Sequence, residues 1–547
     1  MAEFFNTLLV IFGLFCLALP SNSTKPSLSD PLDLQRFGGK QQILADDYVK
    51  GSIWPKPQGQ TQTGVKFSLL PNSFSFSIKG KTSDVLTAAV KRYMNLTFPD
   101  FGVTKKDDKL AQITGLEINV MDDYKPITLE SDESYTLTIS APQSTLYAYE
   151  VWGALRGLET FSQVVHQDEN DLYYAQENKI VDYPRFHHRG FMIDTSRHYL
   201  KPSIILKFLD AMSYGKFNVF HWHVVDDQSF PFVSKTFPTL SGQGSYNNKT
   251  HIYSEDVVKN VIEYARLRGI RVIPEFDTPG HTFSWRSIEN LLTKCCDKQG
   301  KPNGGLGPID PTIDSNYDFL KQFFGEIAAR YPDTYLHLGG DEVSFDCWKS
   351  NPNITKWMQA HGMGSNYSLL EQYYEQKLLN IVGGLKKQYI IWQEVVDNNV
   401  KVLPDTVVNV WKGGWEDELA KVTGLGLKTI LSSCWYLNYI SYGLDWNKYY
   451  QCEPTNFTGS EAQKELIMGG TGCMWAEWVD GTNILPRTWP RALAVAERLW
   501  SSKTTTDLAD ATNRIWEHRC RYLRRGIPAE NAVQSKYCRH EWPVDEK

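Results

Sequence analysis

His337-Leu-Gly-Gly-Asp341-Glu342-Val343 sets two glycines and two adjacent carboxylates directly after a short apolar run. Paired carboxylates without a metal-binding motif point to acid–base chemistry. One stays ionised while the other, in drier surroundings or beside the first charge, keeps its proton near neutral pH. The glycines would let backbone and ligand approach closely. Two other readings fit the same residues. Asp341 could cap a helix with Glu342 in its first turn. The pair could also hold a divalent cation, a reading that the surrounding tryptophans weaken.

Such residues need elements to position them, and the sequence supplies a repeating one. Short apolar strands read at Gly190–Asp194, Asn218–Trp222, Arg271–Glu275, Tyr335–Leu338, Tyr389–Trp392, Val407–Trp411, Thr429–Ser432 and Gly472–Trp475, separated by amphipathic helices. Charged or aromatic residues follow nearly every strand: Asp194 and Arg197, His223 and Asp226, Asp277 and His281, Asp341 and Glu342, Trp392, Trp411, Tyr436, and Trp475 with Glu477. Eight βα units suit a (β/α)8 barrel, which gathers all its strand C-termini into one cup. An open doubly wound sheet would call for a Gly-rich nucleotide loop after the first strand. Any one of these residues has a bland account as a cap, a buried polar group or core packing. Their shared position does not.

Around this barrel, read at 183–505, the chain divides further. Leu8 to Leu19 is an uncharged apolar run, short for a membrane span and followed by small residues, so residues 1–23 are read as a cleavable signal peptide. An uncleaved anchor is the alternative, because the head carries Glu3 and no Lys or Arg. Residues 24–50 form a polar, loosely ordered segment. From 51 to 182, alternation such as Ser134–Ser140 and a helical run over 147–165 indicate a small α/β domain. Residues 506–547 make a C-terminal segment with a disulfide. No later stretch is apolar for long enough to cross a membrane.

Asn-x-Ser/Thr acceptors at Asn22, Asn95, Asn248, Asn353, Asn366 and Asn456 agree with a secretory route. Of nine cysteines, Cys16 leaves with the leader. Cys520 with Cys538 and Cys434 with Cys452 bracket short segments and could close local rings in an oxidising compartment. Neither pair has metal-ligand spacing, so no metal is expected.

Across 547 residues, 41% hydrophobic and 22% charged is an ordinary folded composition, which excludes disordered, collagenous and coiled-coil chains. Lys plus Arg number 57 against 63 Asp plus Glu, and no long basic run exists to neutralise phosphates, so nucleic acid is excluded as a partner. Seventeen tryptophans leave flat apolar faces suited to stacking on sugars or bases.

Taken together, His337-x-Gly-Gly-Asp341-Glu342, Asp194-Thr-Ser-Arg197-His198, His221-Trp-His-Val-Val-Asp226-Asp227, Pro274-Glu-Phe-Asp277-Thr-Pro-Gly-His281 and Trp475-Ala-Glu477 resemble the family 20 glycoside hydrolases, the β-N-acetylhexosaminidases, most closely the lysosomal type of animals. The resemblance runs from about Trp54 to the C-terminal cysteines. It implies an α/β fold, a catalytic (β/α)8 TIM barrel preceded by a small α/β domain. It also implies an exo-acting enzyme that removes terminal β-linked N-acetylglucosamine or N-acetylgalactosamine by a retaining, substrate-assisted route, one of the exceptions to the two-carboxylate scheme.

By resemblance, the substrate's 2-acetamido oxygen attacks the anomeric carbon. Glu342 protonates the leaving oxygen and then activates water, and Asp341 holds the acetamido N–H. Arg197 would bind the 3- and 4-hydroxyls, Asp226 would support this network or the acid, and His281 would tune Glu342. Trp392, Trp411 and Trp475 would wall the acetamido methyl and floor the ring. Tyr436 would donate to the acetamido carbonyl, and Glu477 would accept from a 4- or 6-hydroxyl. Family forms that take 6-sulfated sugars carry Arg after the Asn of Tyr-Leu-Asn; here Tyr439 follows Asn438, which argues against anionic substrates.

The resemblance further implies disulfides Cys296–Cys347 and Cys520–Cys538, leaving Cys295 and Cys473 unassigned. It implies a lysosomal or secreted homodimer without cofactor. A chitooligosaccharide- or N-glycan-restricted exoglycosidase and a catalytically silent carbohydrate-binding surface protein are the competing readings.

Overall fold

Tyr135, Leu137 and Ile139 are buried while Thr136 and Thr138 between them are half-exposed, the period of a strand with one covered face. That strand belongs to the sheet that opens the computed structural model, which describes residues 51–541 except Ile440, Tyr442, Ser535 and His540. The signal peptide and the polar segment expected before residue 51 lie outside the described residues.

The strands of this first sheet are β1 (Gly59–Leu69), β2 (Ser75–Ile78), β3 (Gln112–Ile113), β4 (Gly115–Val120), β5 (Tyr135–Ile139), β6 (Gln143–Ala148), β7 (His166–Gln167) and β8 (Tyr173–Asp182). They run in the order β2-β4-β6-β5-β8-β1-β3, with β7 on β8. Helices Asp84–Thr97 and Val151–Val164 contribute Val85, Leu86, Leu155, Leu158 and Phe161 to the core over it. The helix expected over 147–165 therefore starts later. Tyr147 and Ala148 are spent on β6, paired with β4 and β5, because sheet pairing outweighs their local preference.

The barrel follows. Its strands are β9 (His188–Asp194), β10 (Val219–Val225) and β11 (Arg271–Phe276), then, after a hairpin of β12 (Leu292–Cys296) and β13 (Pro302–Ile309), β14 (Tyr335–His337), β15 (Gln388–Trp392), β16 (Val407–Val410), β17 (Lys428–Leu431) and β18 (Ile467–Met474). All eight barrel strands are parallel and close in the order β10-β11-β14-β15-β16-β17-β18-β9. Their residues are buried almost throughout, as expected of strands covered by helices outside and side chains inside. Val219, Ile273, Tyr335, Ile390, Val407 and Ile430 form one internal cluster; Met192, Trp392, Tyr436, Cys473 and Trp475 form another toward the strand C-termini.

The first sheet's domain is bolted under the barrel. Glu133 accepts from Arg156 Nε at 2.7 Å, from Arg189 Nη2 at 2.5 Å and from Asn218 Nδ2 at 2.8 Å. Burial opposes its charge, but the two guanidiniums prevail and hold its pKa at about 2. Arg189 and Asn218 stand at the N-terminal ends of β9 and β10, so this fixes the barrel's far end and leaves the C-terminal face for loops. The C-terminal helix Leu508–Arg524 is not a separate appendage: Arg525 beyond it pairs with Glu159 at 2.9 Å, and Glu517 accepts from Gly51 N at 2.8 Å.

Disulfides join Cys434 to Cys452 and Cys520 to Cys538. The third differs from expectation, linking Cys295, not Cys296, to Cys347. Successive residues of a strand face opposite sides, so only one of the vicinal cysteines on β12 can turn toward helix Asp346–Ser350. A Cβ on Gly307 of β13 would stand 2.6 Å from the Cys347 sulfur and 3.6 Å from that of Cys295, so a glycine makes room for the bridge. Cys296 and Cys473 are free thiols. Among the described residues no helix is long and apolar enough to cross a membrane.

Candidate active site

The loop after β14 carries Gly339, Gly340, Asp341 and Glu342, and no helix begins there; the next starts at Asp346. The capping alternative for Asp341 is thereby overturned. The glycines do more than admit a ligand. Both have positive φ, +72° and +92°, and a Cβ on Gly340 would meet Val395 Cγ2 at 2.5 Å. Glu342 also has positive φ, +50°, an unfavourable conformation for a side-chain-bearing residue that is held by its surroundings. The turn sends the neighbours to different environments: the Asp341 side chain is 10% exposed, that of Glu342 59%.

Beside Asp341 stand Asp277 and His281 of the loop after β11, with one ligand atom of each of the three within 4.8 Å of the others. Burial, then the Asp341 charge, pushes the Asp277 carboxyl well up, and Gly340 N donates to its Oδ1 at 2.9 Å. Burial raises Asp341 as well, against the nearby His281. Both carboxyls are pushed up by burial, so one proton held between them satisfies the pair.

His281 bridges outward. Its Nδ1 lies 3.2 Å from Asp226 Oδ1 and its Nε2 3.5 Å from Glu342 Oε2. Burial disfavours its charge, but Asp226, Asp341 and Glu342 lift its pKa far above the ordinary imidazole range. The contact with His281 holds Glu342 below its usual value. Asp226 is lowered too: burial would raise it, and His223, His281 and Arg197 overcome that.

Arg197 closes another side. It bonds Asp194 Oδ2 and Asp226 Oδ2, each at 2.9 Å, donates to Gln228 Oε1 at 3.1 Å, and lies over the Trp475 ring at 4.9 Å. Asp194 in turn accepts from the backbone N of Ser196, Arg197 and Ala476, tying the loops after β9 and β18 together. Glu477 is exposed and adds to the field that keeps Arg197 charged.

The apolar lining is Trp392, Trp411, Tyr436 and Trp475. Trp392 lies 6.5 Å from Trp411 and 6.1 Å from Trp475, and Trp411 stacks on Tyr436 at 5.9 Å. Two of the indoles are held by buried carboxylates: Trp392 Nε1 donates to Glu275 Oε1 and Trp411 Nε1 to Glu394 Oε2, both at 2.7 Å. Gln393 Oε1 accepts from the backbone N of Trp411 and of Lys412. Asn438 Oδ1 is buried at the rim without a partner, and exposed Tyr439 stacks on Tyr436.

Asp341, Glu342, Arg197, Asp226, His281, Trp392, Trp411, Tyr436 and Trp475, singled out from sequence, come together on this face. Roles for Glu275, Asp277, Gln393 and Glu394 were not legible beforehand; only Pro274-Glu-Phe-Asp277 signalled two of them. Among the described residues three groups are close enough to hold a cation: His221, Glu275 and His337; Asp226, Asp227 and His281; Asp277, His281 and Asp341. In the first, His221 Nε2 and Glu275 Oε2 already meet at 2.7 Å, a direct hydrogen bond. The five sequons within the described residues, Asn95, Asn248, Asn353, Asn366 and Asn456, are all exposed.

Residues 186–503 match the profile of the glycosyl hydrolase family 20 catalytic domain, and residues 53–164 that of a "beta-acetyl hexosaminidase like" domain. The chain is 48% identical to the mouse beta-hexosaminidase subunit beta over 516 residues, 91% of this chain and 95% of that protein. It is 48% identical to the rat subunit alpha over 507 residues, 90% of this chain and 96% of that protein. Among solved structures it resembles the chitobiase of Flavobacterium johnsoniae, with a TM-score of 0.78 and 29% identity, covering 88% of this chain and 73% of that one. An exo beta-N-acetylglucosaminidase from Vibrio harveyi, solved with N-acetylglucosamine, shares the fold with a TM-score of 0.75 and 24% identity, covering 88% and 78%. The loop that carries Asp341 and Glu342, the barrel that presents it and these likenesses agree: the chain belongs to glycoside hydrolase family 20.

Proposed function

We infer that the chain is an exo-acting β-N-acetylhexosaminidase that uses the substrate's own 2-acetamido oxygen as nucleophile. The observation that carries this reading is the contrast between two consecutive carboxylates. Asp341 is buried where its charge acts on Tyr436, and Glu342 stands exposed. A buried anion is suited to an amide N–H that gains positive charge. An exposed carboxyl is suited to meeting a leaving oxygen and then water.

In this scheme Arg197, with Asp194 and Asp226 behind it, grips the sugar hydroxyls and closes the non-reducing end. Trp392, Trp411 and Trp475 enclose the acetamido methyl and ring. Tyr436 donates to the acetamido carbonyl and Asp341 accepts its N–H, so the oxygen is aimed at the anomeric carbon. In the open site the proton shared by His281 and Glu342 rests on His281. A glycoside displaces water from Glu342 and makes its ionised form costlier, which moves the proton onto Glu342 for transfer to the leaving oxygen. Water then attacks the cyclic intermediate, giving its proton to Glu342, and the sugar leaves with its configuration retained.

Hydrolysis of the 4-nitrophenyl β-N-acetylglucosaminide, β-N-acetylgalactosaminide and β-glucoside tests the reading. The first two are cleaved, the glucoside is not, and Asp341→Asn and Glu342→Gln each lose most activity. Cleavage of the glucoside at a comparable rate contradicts it.

One chain carries a complete set of site residues and the relatives' names describe subunits, which supports a homodimer. Light scattering at twice the chain mass supports it; a monomer mass contradicts it. The exposed sequons and three disulfides support the secretory route to a lysosome or the medium. Endoglycosidase digestion of protein from a eukaryotic host checks this by a mass shift.

A further inference from the structure

Asp226 does not end the line that supports the acid. Its Oδ2 meets His223 Nε2 at 3.0 Å, and on the far side of that ring His223 Nδ1 lies 2.8 Å from Glu275 Oε2. From the barrel interior outward, carboxylate and imidazole alternate: Glu275, His223, Asp226, His281, Glu342. The links are 2.8, 3.0, 3.2 and 3.5 Å. Resting on the glycosidase reading, we propose that His223 and Glu275 are positioning residues for the acid–base Glu342, acting through Asp226 and His281.

The argument is one of satisfied charge. Asp226 is almost wholly buried, and a buried carboxylate stays ionised only if donors converge on it. Asp227 N and His281 take Oδ1; Arg197 and His223 take Oδ2. Arg197 is also committed to Asp194 and to the sugar, so His223 is the donor given to Asp226 from beneath. The groups facing His223 are Glu275 of β11, Asp226, Asp194, His337 of β14 and Asp341, with the Trp475 ring edge-on at 4.8 Å. Burial disfavours the charged ring, but Glu275 and Asp226 prevail and lift its pKa to about 10. Burial opposes the charge of Glu275, and the imidazoles around it, His223 among them, hold its carboxyl well below the usual range while the Trp392 indole donates to it. Without the His223 charge, Asp226 is pulled toward protonation, and His281 loses the anion that fixes its Nδ1 and aims its Nε2 at Glu342.

A role in packing alone, as support for Trp475, predicts something different, and leaving-group dependence separates the two. The β-N-acetylglucosaminides of 2,4-dinitrophenol, 4-nitrophenol and 4-methylumbelliferone, and the disaccharide chitobiose, need increasing help from an acid. With His223→Gln and Glu275→Gln, the plot of log kcat/KM against leaving-group pKa steepens. The loss on chitobiose exceeds that on the dinitrophenyl glycoside by about tenfold or more, a part of what acid catalysis typically contributes. An equal fall on all four substrates, or no fall, overturns the proposal. Should His223→Gln not fold, the near-isosteric Glu275→Gln decides alone. Wild type inactive on all four would instead contradict the glycosidase reading itself.

Discussion

Gly339 and Asp277 are interlocked. A Cβ on Gly339 would stand 1.8 Å from Asp277 Oδ1, the oxygen that accepts from Gly340 N at 2.9 Å. The second carboxylate behind the Asp341 loop thus occupies the space a side chain would take. Gly339→Ala faces both that clash and positive φ, so it costs about 3 kcal/mol or more and abolishes N-acetylglucosaminide hydrolysis. Thermal unfolding with a 4-nitrophenyl assay checks this; a stable, active variant contradicts the interlock.

The bridge from Cys295 to Cys347 ties the hairpin after His281 to the helix after Glu342, closing a loop with a sequence separation of 52 residues. Loop entropy alone gives such a closure about 4 kcal/mol. Cys347→Ser should destabilise strongly, and Cys296→Ser should not. Peptide mapping under non-reducing conditions should find Cys295 in the bridge and Cys296 alkylated.

Glu371, buried on helix Tyr367–Gly384, accepts from Asn398 Nδ2 at 2.9 Å. Burial raises its pKa from 4.5 to about 8, with Glu394 adding to the rise. The folded state holds this proton more tightly than the unfolded one, so its stabilisation is complete below pH 4.5 and is lost as pH rises to 8. Glu371→Gln removes that loss: Tm rises by about 5 °C at pH 8 and is unchanged at pH 4. Calorimetry at the two pH values decides.

Glu394 holds Trp411 by the indole N–H and is itself held by Lys412 Nζ at 3.0 Å. Glu394→Ala frees the wall of the acetamido pocket, so KM for 4-nitrophenyl N-acetylglucosaminide rises about tenfold or more while the glycoside of the larger N-propanoyl sugar loses less. Equal losses on both would show that Glu394 does not shape that wall.

The eight barrel strands were legible because each is a short apolar run ended by polar residues, a pattern a closed parallel barrel demands at every strand. Asp341, Glu342 and Arg197 were legible by motif. The grouping of Glu275 and Asp277 with Asp341 and Trp392 was not, since strands far apart in sequence must close before those side chains meet. Likewise, nothing in Cys295-Cys296 says which sulfur faces Cys347; the pleat of β12 decides it. The start of helix Val151–Val164 was misread because β6 claims Tyr147 and Ala148 by pairing that sequence does not display.

The central claim is that the substrate's acetamido oxygen is the nucleophile. Its most direct test is kcat/KM of the wild type on 4-nitrophenyl glucosaminides carrying N-acetyl, N-fluoroacetyl, N-difluoroacetyl and N-trifluoroacetyl groups. Each fluorine weakens that oxygen as a nucleophile while changing the pocket's load little. The rate constant should fall steeply and in order along the series. A flat series would contradict the account and assign the attack to a protein side chain or to water.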